Sequence, residues 1–91
     1  MIKVPYTGDV ASYREIAATS PAPVVAAGGP PCETLREALT RLGEIRESGA
    51  RGATIGRNIW GTPDPTKAVL ACKAVIHEGL SPDAALQQAG L

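Results

Sequence analysis

Lys3 is the residue whose type and setting could do the most distinctive chemistry. It lies between Ile2 and Val4 in a short β-type run, Met1 to Tyr6. A strand lysine turns either out to solvent or in toward a core. Turned inward it is desolvated, which favours the neutral amine. A neutral amine attacks carbonyl carbon and forms a Schiff base, and the protonated imine is an electron sink for making or breaking a C–C bond. Spacing alone leaves both orientations open.

A second set of residues suits an anion. Gly28-Gly29 ends one apolar run and Gly56-Arg57 ends another. Glycine turns let backbone N–H groups approach a phosphate, and Arg57 adds a planar, permanently charged fork. Without further information Gly28-Gly29 also reads as a tight strand-to-helix turn.

The elements that must position these residues alternate in type. After Met1–Tyr6 and the turn at Thr7-Gly8-Asp9, a short helix runs to just before Pro21. Asp9 can cap it, Ser12 with Glu15 has capping-box spacing, and Ile16 and Ala17 are expected to face inward. Residues 23–27 (PVVAA) are apolar throughout, as befits a strand buried on both faces of a parallel sheet. A long helix is expected from about Glu33 to Ser48, with Leu35, Ala38, Leu39, Leu42 and Ile45 as its apolar stripe and Gly49 as its stop. Gly43 interrupts it, and only close packing accounts for a glycine there.

Residues 52–56 (GATIG) form the third run. Asp64 then caps a helix with Pro65 at its first position, an inner stripe of Ala68, Val69, Cys72, Val75 and Ile76, and a stop at Gly79. Ser81-Pro82-Asp83 opens a last helix through Ala89. The order is β-α-β-α-β-α-α. Strands alternating with helices on short connections imply parallel crossovers, so the loops after the strands share one rim, where ligands bind.

Composition bounds the rest. The 91 residues form one unit, 1–91, well short of the ~250 of a complete (β/α)8 barrel. Three strands cannot close a barrel, and both sheet edges stay open. Basic and acidic residues balance at 9 each, which gives no field for nucleic acid or an anionic membrane. No apolar run approaches a membrane span, and Pro5, Gly8 and Asp9 interrupt any signal-peptide pattern. Cys32 and Cys72 have no metal spacing, and the expectation is reduced thiols, a cytoplasmic setting, no metal and no cofactor. Tyr6, Trp60, His77 and Asn58 are read as packing, capping or loop residues.

Three motifs occur in order: Ile-Lys-x-x-Tyr-Thr-Gly-Asp at 2–9, Pro-Val-Val-x-Ala-Gly-Gly-Pro at 23–30, and Gly-x-x-x-Gly-Arg-Asn-Ile-Trp at 52–60. Together they resemble the C-terminal part of the archaeal-type class I fructose-bisphosphate aldolase family. That family is deoxyribose-phosphate-aldolase-like and includes aminodideoxyheptulosonate synthases and autoinducer-2 phosphate thiolase. The similarity continues through Ile76-His77-Glu78-Gly79 and the Ser81-Pro82 helix.

The resemblance implies an α/β fold: the C-terminal part of a TIM (β/α)8 barrel, with parallel barrel strands six to eight and their helices. It implies Lys3 as the imine-forming lysine, and Gly28, Gly29, Gly56 and Arg57 as the phosphate loops. The expected activity is a class I aldolase-type lyase on a phosphorylated ketose such as fructose 1,6-bisphosphate. Pro31 stands where the family commonly carries a basic or small polar residue. The family's proton-transfer residues lie on strands one to five, so Lys3 alone would hold a carbonyl without efficient turnover. The alternative is a non-catalytic phosphate-binding or oligomerising module. The expected partners are a phosphorylated sugar and either further copies of the chain or a complementing N-terminal barrel segment.

Overall fold

Three short runs of small and β-branched residues pair into a parallel sheet in the order β1-β2-β3: β1 (Ile2–Pro5), β2 (Val24–Ala27) and β3 (Gly52–Thr54). The computed structural model describes residues 1–27, 34–56, 59 and 62–91. The central strand β2 is the run that is apolar throughout. Its Val24, Val25 and Ala26 are buried, as a strand covered by neighbours on both edges requires. The register pairs Lys3 with Val25, and Val25 with Gly52.

β1 ends at Pro5, one residue before the expected boundary, because proline has no N–H for a ladder. β3 is likewise shorter than the apolar run that marks it. Ile55 and Gly56 leave the sheet, and the Gly56 carbonyl accepts from the Ile59 N–H at 2.9 Å in a turn instead.

Among the described residues four helices are delimited: α1 (Val10–Thr19), α2 (Leu35–Glu47), α3 (Pro65–Ile76) and α4 (Pro82–Ala89). Each N-terminus is capped by a short polar side chain. Asp9 accepts from the Ser12 N–H at 3.0 Å, Thr34 from Glu37 at 3.2 Å, Asp64 from Lys67 at 3.2 Å and Ser81 from Ala84 at 3.2 Å. Ser12 is therefore not itself the N-cap. It sits in the first turn, where its hydroxyl shares a 2.8 Å hydrogen bond with that of Thr7. α2 starts after Thr34 rather than near Glu33, which lies outside the described residues.

The core lies between one face of the sheet and the helices. Of the expected stripe on α2, Ala38, Leu39, Leu42 and Ile45 are buried, the last three in one cluster with Val24 and Ala26 of β2, while Leu35 is only partly buried against it. On α3 the buried arc is rotated from the expected stripe: Ala68, Ala71, Cys72, Ala74 and Val75 are inside, while Val69 is 39% exposed. The cause is double coverage, since α3 packs on α2 on one side and α4 on the other. Alanines at 71 and 74 let α4 come close. On α1 the buried residue is Tyr13, and Ile16 and Ala17 are half-buried.

Candidate functional site

Side chains alternate across a strand, so the core contacts of β1–β3 decide which way Lys3 turns. Val4, Val24, Ala26 and Ala53 all pack into the helix-side core. Lys3, Val25 and Gly52, in register with one another, therefore occupy the opposite face, and Pro5, Ala27 and Thr54 form the next row along it. None of Lys3, Val25 and Gly52 belongs to the helix-side core, although Val25 and Gly52 are themselves buried. A Cβ built on Gly52 would meet nothing within 4 Å. Lys3 is exposed there. Of its two possible orientations, the fold selects the face away from the helices. In a closed barrel that face is the interior.

The strand ends share a rim. β1 runs into Tyr6-Thr7-Gly8-Asp9, where Gly8 adopts φ 86°, a left-handed conformation that costs other residues energy. Asp9 spends its carboxylate on the first turn of α1. The Ser12 backbone N–H, the Ser12 side chain and the Ala11 N–H hold its pKa below the usual value. β3 runs into Ile55-Gly56, and the chain returns toward α3 through Ile59, whose carbonyl accepts from both the N–H and the hydroxyl of Thr62. Gly56 thus lies half-buried at the rim. Gly28, Gly29 and Arg57 lie outside the described residues, as do Cys32, Asn58 and Trp60. Lys3 lies two residues before the end of β1, and Gly56 lies two residues beyond the end of β3.

Tyr6 turns to the helix side, as its parity with Val4 requires. Its hydroxyl donates to Glu44 Oε1 at 3.0 Å, and its ring meets that of Tyr13 edge-on, with centroids 5.1 Å apart. Burial, then the bond to Glu44, pushes its pKa up to about 12. Tyr6 and Gly8 face α2 across an open cleft of about 410 Å³ that is also lined by Arg36, Thr40 and Glu44. This cleft lies on the outer side of β1, away from Lys3. His77 is the C-cap of α3 and is exposed. Cys72 is a buried free thiol whose pKa burial raises to about 11. It walls a smaller apolar cleft of about 150 Å³ beneath Ile55 and Ile59.

Tyr13 escaped the sequence reading, which placed Ile16 and Ala17 on the inner face of α1. It is fully buried, and its hydroxyl donates to the Val4 carbonyl at 2.7 Å. Its position three residues before Ile16, on the same helical face, was the available signal.

Residues 1–62 match the model of the DeoC/LacD family of aldolases. An uncharacterised aldolase of Saccharolobus solfataricus is 40% identical over 86% of this chain and 29% of its own length. The 2-amino-3,7-dideoxy-D-threo-hept-6-ulosonate synthase of Halobacterium salinarum is 34% identical over all of this chain and 34% of its own. A solved Schiff-base-forming fructose-1,6-bisphosphate aldolase superposes with a TM-score of 0.75 at 30% identity, over 82% of this chain and 30% of that one. The chain spans about a third of the length of the curated relatives it matches. Its three parallel strands and their helices correspond to that share of a TIM-barrel aldolase. With the family match covering more than half of its residues, the chain belongs to the DeoC/LacD family of aldolases.

Proposed function

We propose that this chain supplies the imine-forming strand and the phosphate loops of a class I aldolase acting on a phosphorylated ketose. The observation that carries this reading is the face on which Lys3 lies: opposite the strand residues that pack into the helix-side core, and in register with Val25 and Gly52. Lys3 attacks the ketone carbon of the substrate and water leaves, giving an iminium. The electron pair of the C–C bond that breaks is drawn toward that iminium. Gly28, Gly29, Gly56 and Arg57 hold the phosphate, with Arg57 as a two-pronged donor. The resemblance to a Schiff-base-forming fructose-1,6-bisphosphate aldolase supports the chemistry, and the resemblance to a heptulosonate synthase keeps the substrate at the level of phosphorylated ketoses.

Proton transfer needs groups beyond those named here, because an iminium without an acid/base partner turns over slowly. Barrel strands one to five, joined to this chain or associated with it, would supply them and cover the Lys3 face. The exposure of Lys3 supports a second reading for these 91 residues taken alone, a phosphate-binding or assembling module without turnover.

Titration with dihydroxyacetone phosphate tests the phosphate assignment. Arg57→Ala is expected to raise Kd at least tenfold, on the order of the 1.5–3 kcal/mol carried by a charged hydrogen bond, whereas Lys3→Met leaves phosphate binding nearly intact. An unchanged Kd in Arg57→Ala would remove Arg57 from the site.

A further inference from the structure

We infer that Tyr13 is the positioning residue for Lys3: its hydroxyl fixes the strand segment that carries the amine, so that the amine meets the substrate carbonyl at attacking distance. The inference rests on the imine reading above and deepens it.

β1 is a four-residue edge strand paired along only one side, and every residue in it except Val4 is exposed. Such a strand has little packing of its own to set its depth. Two ties bind it to the helix layer. Tyr13 donates to the Val4 carbonyl at 2.7 Å, one residue beyond Lys3, and Tyr6 donates to Glu44 at 3.0 Å, three residues beyond it. The Tyr13 ring is completely buried and braced edge-on against Tyr6. A buried hydroxyl needs a partner. That it takes the carbonyl next to Lys3, rather than one in its own helix, couples α1 to the reactive strand.

The Val4 carbonyl belongs to the Val4–Pro5 peptide, one Cα beyond the peptide that joins Lys3 to Val4, so a shift there is passed back to Lys3 along about one strand residue, about 3.3 Å. A displacement on the order of 1 Å is enough to cost a bimolecular attack a hundredfold. The hydroxyl touches neither substrate nor amine and acts only through the strand.

The test is borohydride trapping with dihydroxyacetone phosphate on the full chain, comparing wild type with Tyr13→Phe. The change keeps the ring and removes the tie. Expected is at least a tenfold lower maximal trapping rate on Lys3, with the half-saturating ketone concentration unchanged and the melting temperature well above the assay temperature. A merely structural hydroxyl would lower the melting temperature and leave the maximal rate of the folded fraction as it was, and that result overturns the inference. Tyr6→Phe, which removes the more distant tie, is expected to slow trapping less than Tyr13→Phe, and the reverse order also counts against it. If Tyr13→Phe does not fold, wild type decides: imine reduction must shift the ¹³C resonance of the Val4 carbonyl, and an unmoved resonance overturns the proposal. Wild type that forms no Lys3 adduct at all defeats the underlying imine reading, whereas equal trapping in wild type and Tyr13→Phe defeats the positioning role alone.

Discussion

Tyr6, Tyr13 and Cys72 are each kept protonated by the fold. Burial is the first cause in all three, and for Tyr6 the Glu44 carboxylate adds to it. Tyr6 moves from 10.0 to about 12 and Cys72 from 9.0 to about 11. In the unfolded chain these groups ionise first, so the folded state binds more protons in that window. Their contribution is complete below pH 9 and is lost as the pH rises through about 11 to 12. The urea midpoint of the wild type should therefore fall across this range. Tyr6→Phe should cost about 1 kcal/mol near neutrality through the lost hydrogen bond and flatten the decline between pH 10 and 12. A decline equally steep in Tyr6→Phe would assign it to other groups. Lys3 itself was legible by type but not by direction. Its orientation follows from the register with Val25 and from which strand residues meet the helices, and neither is written in the run Ile-Lys-Val.

Helices and strands differ in how much of their placement local sequence specifies. Asp9, Asp64 and Ser81 announce three of the four helix starts, and the stripe through Leu39, Leu42 and Ile45 names the face of α2 that is buried. α3 was less legible, because its buried arc answers to two neighbours and a one-sided stripe cannot describe it. Gly43 corrects another expectation. A Cβ there would stand 3.8 Å from Val75 Cγ1, an ordinary contact, so packing of α3 on α2 does not demand glycine. Gly43→Ala should raise stability by up to about 1 kcal/mol, the helix-interior cost of glycine, read as a higher urea midpoint with unchanged slope. A lower midpoint would reveal crowding at that site. Gly79 is the contrary case. It adopts φ 74° and an added Cβ would come within 3.1 Å of the Arg46 guanidinium, which itself donates to the Ile76 carbonyl at the end of α3. Alanine there should destabilise.

One face of the sheet packs against the helices, and on the other Lys3 is exposed while Val25 and Gly52 beside it are buried. α1, α2 and α3 close the helix side, and α4 joins them through Ala85 and an Arg36–Asp83 ion pair. That pair is too exposed to contribute more than about 1 kcal/mol. The curated relatives are about three times as long as this chain. The order of the three motifs made this arrangement legible before any geometry. What they could not convey is that Lys3, Val25 and Gly52 share one row, since that depends on pairing between strands more than 20 residues apart. The central claim is that Lys3 is the imine-forming amine. The chain has three lysines, Lys3, Lys67 and Lys73, so trapping with dihydroxyacetone phosphate and borohydride, followed by peptide mass mapping, reads the site directly. The reduced adduct is expected on Lys3 and is expected to disappear in Lys3→Met. An adduct confined to Lys67, Lys73 or the terminal amine, or one that persists in Lys3→Met, would contradict it.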